Sequence, residues 1–364
     1  MIEDFRTDAE ASERRGRGAL DNASGRYETE RRFRIDDGWE RHEELPPIRT
    51  SVQPDKSRRV ITRNESPDVP FDRSINPYRG CEHGCIYCFA RPTHAWLGLS
   101  PGLDFETRLF VKPEAPERLV EELAKPGYRC RPIAFGTNTD PYQPIERERR
   151  VTRRLIEVLA ECDHPLTIVT KSNLVLRDLD ILEPMARKGL VKVALSITTL
   201  DRHLARVMEP RATTPARRLE AVKSLSDAGI PTSVLFAPTI PGLNDHEMEK
   251  VLELAAQAGA GEAGYILLRL PLEIRELFHD WLREHFPNRA ERVIQLVRDT
   301  RGGRDYQAAF GRRMTGQGPY AELTGQRFRA ALRRYGLDKR RSELDCGLFR
   351  PPRPAREDRQ MSLL

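Results

Sequence analysis

Between residues 74 and 270, short apolar runs alternate with stretches whose apolar positions recur at helical spacing. The runs fall at 74–78, 132–136, 166–171, 192–198, 232–237 and 265–270. Each is short and rich in Val, Ile, Leu or Phe, as expected of a strand buried on both faces. The segments with helical spacing are 114–125, 147–161, 178–187, 215–228 and 245–258. In 215–228, Leu219, Val222 and Leu225 share a face, Pro215 suits the first turn, and Gly229 followed by Pro231 ends the helix. Repeated strand–helix alternation predicts an α/β fold with a parallel sheet and right-handed crossovers. The pattern leaves three closures open: a full barrel, a partial six-unit barrel, or an open doubly wound sheet. In each, the functional loops follow the C-terminal ends of the strands.

The flanks differ from this core. Residues 1–65 are charged and lack apolar periodicity, which predicts a flexible N-terminal arm. The core domain then spans 66–285. A helical extension over 286–345 is broken at Gly302–Gly303 and at Gly316–Pro319, and a tail over 346–364 is expected to be disordered. Residues 286–364 carry 18 Lys and Arg against 9 Asp and Glu, so the rest of the chain is about three negative within a total of +6. Arg312, Arg313, Arg333, Arg334, Arg340 and Arg341, with Phe328 and Tyr335 interleaved, fit a surface for DNA or RNA. They fit a solvated helical face as well. No run of about eighteen apolar residues occurs, and the first residues lack a basic start followed by an apolar stretch. A cytoplasmic protein without a membrane partner is the expectation.

Three of the six cysteines fall within eight residues, as Cys81-x3-Cys85-x2-Cys88. Such clustering argues against a disulfide framework and for a metal centre in a reducing compartment. Thiolates suit iron–sulfur clusters or zinc. Three cysteines leave one iron of a four-iron cluster open to a chelating ligand. A zinc site needs a fourth ligand; His83 and His94 are at hand, but no second Cys pair follows. Cys130 and Cys162 read as small core or edge residues, and Cys346 stands alone in the tail.

The loop RGCEHGCIYCFAR resembles the signature of radical S-adenosylmethionine enzymes. The resemblance covers about residues 70–285 and implies a partial (β/α)6 TIM-like barrel with a helical C-terminal extension. It implies a [4Fe–4S] cluster on Cys81, Cys85 and Cys88, whose open iron binds S-adenosylmethionine and whose electron yields a 5′-deoxyadenosyl radical. An electron donor such as flavodoxin or ferredoxin follows from that chemistry. Tyr87 then lies near the adenine. FGTNTDPYQ, with Thr139 and Asp140, follows the second strand, where the family holds the amino and carboxylate ends of the cofactor. Lys171 in IVTKSN offers a cation to the carboxylate, Ser196 in VALSIT a ribose partner, and FAPTIPGLND backbone atoms of Ala237 and Ile240 to the adenine.

Within the superfamily the chain looks most like spore photoproduct lyase and its uncharacterised relatives. The likeness rests on SINPYRGCEHGCIYC, TNTDP, IVTKSN, MEPRATTPARRL and FAPTIPG. It departs at Thr137, where the lyase is expected to carry a hydrogen-donating cysteine. A hydroxyl O–H bond is much stronger than a thiol S–H, so Thr137 is a poor hydrogen-atom donor. Cys346 reaches the site only if the C-terminal segment folds back over the barrel mouth; Tyr87 and Tyr142 are the other relay candidates. The implied activity is therefore reductive cleavage of S-adenosylmethionine to a 5′-deoxyadenosyl radical, lyase-like, with a substrate the sequence does not specify and nucleic acid as one candidate. The alternative is a non-enzymatic, zinc-stabilised nucleic-acid-binding protein. An electron-transfer protein is disfavoured, since such clusters usually have four protein ligands.

Overall fold

All six apolar runs become strands of one sheet. The computed structural model describes residues 14–28, 47–338 and 343–352. In chain order its strands are β1 (Ser51–Pro54), β2 (Ile61–Arg63), β3 (Arg73–Ile75), β4 (Tyr78–Arg79), β5 (Arg108–Val111), β6 (Ile133–Phe135), β7 (Leu166–Thr170), β8 (Val191–Ser196), β9 (Thr232–Thr239) and β10 (Glu262–Leu267). The large sheet runs β10-β9-β8-β7-β6-β3-β2; β3 and β6–β10 are parallel, and β2 is antiparallel on the outer edge. Each crossover therefore steps to the next strand in the same direction. Right-handed connections of that kind place the crossover helices on one face. Among the described residues β10 does not pair with β2 or β3, so the sheet is a partial barrel. A second sheet, β1-β5-β4, lies beside the loop that follows β4. Among the described residues no helix is long and apolar enough to cross a membrane.

Helices Ala115–Leu123, Val151–Glu161, Leu179–Arg187, Pro215–Asp227 and Met248–Gln257 occupy the stretches with helical spacing. Their apolar faces, including Leu155, Leu182, Val222, Leu225 and Val251, join Ile168, Val193, Leu195, Val234 and Phe236 in one core. The strands differ from the two-face expectation. Along β7, β8 and β9 the alternate residues Thr167, Val169, Lys192, Ala194, Ser233 and Leu235 are only partly buried. With the helices on one face, the other face of the sheet has no such cover. Lys192 and Glu262 form an ion pair at 3.3 Å beside it.

Segments 14–28 and 47–65, placed by the sequence within a charged arm, pack against the core. The Arg17 guanidinium donates to the carbonyls of Glu106 (3.0 Å) and Ile48 (2.8 Å), while β1 pairs with β5 and β2 with β3. These anchors are backbone groups and one buried arginine, which leave no apolar period in the sequence. The remainder of 1–65 lies outside the described residues.

The C-terminal region is helical: Ile274–His285 ends the expected core domain, and in the extension Ala290–Asp299 and Pro319–Tyr335 are separated by the segment that holds both expected glycine breaks. The Arg334 guanidinium lies over the Tyr335 ring, 5.5 Å from its centroid, while other residues of the expected aromatic–arginine stripe are engaged by the fold. Phe328 is buried with its ring 4.6 Å from that of Tyr265, and Arg313 pairs with Asp68 at 2.5 Å. Arg340 and Arg341 lie outside the described residues. Part of the expected tail, 346–352, lies along the barrel: the Arg350 amide donates to the Cys162 carbonyl at 2.9 Å.

His164 sits beneath that segment. Its Nδ1–H donates to the Pro165 carbonyl (2.9 Å), leaving Nε2 to accept from the Tyr128 hydroxyl (2.9 Å). Burial, with a smaller effect from Arg73, holds its pKa down at about 4. As pH falls below the ordinary value of about 6.5, the unfolded chain takes up a proton that the folded chain refuses. Stability is therefore expected to fall between about pH 6.5 and about 4, by at most about 3 kcal/mol. Urea midpoints across this range should show a steeper pH slope for wild type than for His164→Gln. Equal slopes would refute the assignment.

Candidate active site

The cysteine loop follows β4 at the C-terminal end of the barrel strands. Its backbone turns through Gly84 N–H to Cys81 O (3.3 Å) and Cys88 N–H to Cys85 O (3.2 Å), while Cys81 N–H donates to Phe105 O (2.9 Å). Arg91, fully buried, ties the loop together. Its guanidinium donates to the carbonyls of Cys85 (2.9 Å), Gly84 (3.1 Å), Pro101 (3.0 Å) and Gly102 (3.0 Å), and pairs with Glu106 at 2.5 Å. The Glu106 carboxylate also accepts the amides of Gly18 and Ala19, both at 2.9 Å. The approach is so close that a Cβ on Gly18 would stand 1.8 Å from the Gly84 carbonyl oxygen. Only glycine fits at that crossing.

Cys81 and Cys85 are 6% and 7% exposed, and Cys88 is half-buried. Burial pushes all three thiols up, Cys85 to about 12, while Lys171 acts on Cys85 in the opposite sense. Three sheltered thiols on one loop are a soft donor set short of positive charge, which fits an iron–sulfur cluster. The nearby histidines each have one ring nitrogen engaged, and His94 Nδ1 is buried without a partner. His83 Nδ1 lies 3.3 Å from Asp140, and His94 Nε2 is 2.9 Å from the Arg108 carbonyl. Among the described residues no three His, Cys, Asp or Glu side chains converge to hold a single metal ion.

The other expected residues gather at the same end. Tyr87 is buried and donates to the Glu209 carboxylate, and Lys171 Nζ lies 5.6 Å from the Tyr87 ring centroid. Burial opposes the Lys171 charge, but Cys85 and Glu209 raise its pKa. No carboxylate lies within ion-pair reach of this ammonium among the described residues. Asp140 is occupied by the protein itself: it accepts from Thr170 (2.7 Å), the Lys171 amide (2.8 Å) and the Tyr142 amide (2.9 Å). Burial would raise its pKa, yet His83 and these donors hold it at about 2. Thr139 donates to the Tyr78 carbonyl at 3.0 Å. Ser196 donates to the Ala237 carbonyl at 3.0 Å, bringing those two residues together. The Ile240 amide is taken by Asn244 at 2.7 Å.

Several site residues escaped the sequence reading. Glu209 anchors Tyr87, accepts from Thr198 (2.6 Å) and forms an ion pair with Arg218, all of them buried. Burial would raise Glu209, but Arg218 and then Lys171 keep it at about 2. Both residues lie in or beside MEPRATTPARRL, so the signal was the Glu-Pro turn followed by a helix carrying arginine. Asn76, at the end of β3, accepts the Asn138 amide (3.0 Å) and donates to Thr137 (3.2 Å). Arg269 follows β10 and stacks on the exposed ring of Phe89, 5.1 Å from its centroid. Its Nε is buried without an acceptor. Tyr142 is buried and donates to Asp178 at 3.0 Å. Cys346 does not reach this end; it lies beside Cys130, before β6.

The family model of the radical SAM superfamily matches residues 75–255. An uncharacterised protein of Mycobacterium tuberculosis is 38% identical over 232 residues, 63% of this chain and 68% of the relative. One of Methanocaldococcus jannaschii is 29% identical over 192 residues, 53% and 69% of the two chains. Among solved structures, spore photoproduct lyase complexed with dinucleoside spore photoproduct superposes with a TM-score of 0.56 at 16% identity, covering 78% of each chain. A tyrosine-to-phenylalanine mutant of spore photoproduct lyase gives the same TM-score over 79% of each chain, also at 16% identity. The shared architecture is thus that of the lyase fold, and by its sequence the chain belongs to the radical SAM superfamily.

Proposed function

We propose that this protein cleaves S-adenosylmethionine reductively and uses the radical on a substrate bearing an anionic group. The carrying observation is the set of three sheltered cysteines on one loop, facing the unpaired ammonium of Lys171 at the barrel mouth. Cys81, Cys85 and Cys88 would hold a [4Fe–4S] cluster. When bound, that cluster supplies the electron that splits the sulfonium and releases the 5′-deoxyadenosyl radical.

The chain's own residues do the positioning. Lys171 receives the cofactor carboxylate, and Asp140 sets Lys171 by holding its amide. Tyr87, fixed by Glu209, gives the adenosine a flat wall, and the Ser196–Ala237 edge borders the ribose. Arg269, stacked on Phe89 at the mouth with a spare buried donor, supports an anionic substrate. Thr137 supports a reaction other than lyase-type dimer repair, because its hydroxyl is held by Asn76 and is a poor hydrogen donor. Against the zinc reading, no three His, Cys, Asp or Glu side chains among the described residues are placed to hold a single metal ion.

Anaerobic protein is to be incubated with dithionite or reduced flavodoxin, S-adenosylmethionine, and single-stranded DNA or RNA. The expected result is 5′-deoxyadenosine from the cofactor, and deuterium transfer from a labelled substrate, by mass spectrometry. Colourless protein with one zinc and no deoxyadenosine would overturn the proposal.

A further inference from the structure

We propose that Cys130 and Cys346 are a reversible dithiol–disulfide pair that clamps the C-terminal segment to the barrel at the end opposite the active site. This inference does not depend on the radical chemistry.

More than two hundred residues separate the two cysteines, yet the fold brings their segments together: the Phe349 ring lies beside that of Tyr128, and the Phe349 amide donates to the Cys346 carbonyl, with the Cys346 sulfur a neighbour of Cys130. Residues 343–352 form a strap across loops that enter barrel strands. The Asp345 amide donates to the Gly189 carbonyl before β8 (3.1 Å), and the Arg350 amide to the Cys162 carbonyl before β7 (2.9 Å). The Phe349 ring lies 5.1 Å from His164 and 5.5 Å from Tyr128. Cys346 sits within this strap, and Cys130 lies two residues after Tyr128, before β6.

Both sulfurs belong to half-buried residues, within reach of a small molecule, whereas Cys162 is 4% exposed. Among the described residues, two backbone hydrogen bonds and the Phe349 ring hold the strap to these loops, so a covalent link changes its freedom substantially. Closing so long a loop removes considerable chain entropy from the opened state.

The oxidant is a low-molecular-weight disulfide. Cys346, carried on the strap, attacks the small disulfide. Its thiolate forms a mixed disulfide and releases one small thiol. Cys130 then displaces the second small thiol, and the Cys130–Cys346 bond closes. Two electrons pass from the protein sulfurs to the small disulfide, and both protons leave on the released thiols.

The test uses full-length protein with its cluster, held anaerobic and treated with glutathione disulfide. Alkylation, proteolysis and mass spectrometry then map the linkages. The expected product joins the peptides of Cys130 and Cys346, is two hydrogens lighter than the dithiol, and reverts with dithiothreitol. Amide exchange over 343–352 should slow by about tenfold or more on oxidation. Cys346→Ser should abolish the link and leave cluster absorbance unchanged. Recovery of Cys130 and Cys346 as free thiols or separate glutathione adducts would overturn the pairing. A link that leaves strap exchange unchanged would overturn the clamp.

Discussion

Cys85→Ala is expected to give a folded but colourless protein whose production of 5′-deoxyadenosine falls by more than about 100-fold. The reason lies in ligand count and charge together. Cys85 sits in the centre of the loop, with its backbone carbonyl already fixed by Arg91. Its thiol has been pushed up to about 12 by burial, against the pull of Lys171. Such a sulfur gains its negative charge only when iron replaces the proton. With alanine there, two ligands remain on the loop, and His83 and His94 are turned to Asp140 and the Arg108 carbonyl. Fold loss is separable from ligand loss. Cys162→Ala removes an equally buried sulfur at the opposite end of the barrel and should keep the iron–sulfur absorbance. Iron content and deoxyadenosine formation near wild type in Cys85→Ala would remove the foundation of the proposed activity.

Arg218→Met should cost about 3–5 kcal/mol of stability, the largest loss expected from one substitution outside the cysteine loop. Arg218 and Glu209 are each about 1% exposed at the side chain. The guanidinium also donates to the Thr213 carbonyl (2.6 Å) and the Ser196 carbonyl (2.9 Å), so it joins the end of β8 to the Glu-Pro turn. Without it, the Glu209 carboxylate stays buried beside Tyr87 and Thr198 with Lys171 as its remaining cationic neighbour. The thermal midpoint should drop by on the order of 10 °C. Glu209→Gln combined with Arg218→Met removes both charges and should recover part of the loss, because much of the single-variant cost is an uncompensated charge. A midpoint unchanged in Arg218→Met, or a double variant that loses the full sum of both singles, would refute this account.

The features most legible in the sequence were those encoded locally. Six apolar runs and five helical periods marked the barrel units, because a strand must bury alternate or successive apolar side chains and a helix must bury a stripe. The glycine breaks and Pro215 fell where backbone geometry demands them. The cysteine triplet was legible because its ligands lie within one turn-rich loop.

What only the tertiary structure decided involves partners distant in sequence. The Glu106 carboxylate receives Gly18 and Ala19 from one distant segment and Arg91 from another, and none of those contacts has a period to read. Glu209 and Arg218 meet as a buried pair because the Glu-Pro turn folds back under the helix that follows it. Asp140 and Thr139 stood in a recognised motif, but only the packed loop shows their oxygens turned to the protein. Phe328 and Tyr335 read as a surface stripe until the edge of the barrel supplied Tyr265 as a partner for Phe328. Cys130 and Cys346 were two unrelated residues until the strap crossed the barrel. By itself the sequence determined the order of units and the loop of sulfur ligands, since short-range hydrophobic period and ligand spacing are properties of neighbouring residues. Tertiary structure decided which charges were buried together, because the energy of a buried charge depends on what surrounds it in space.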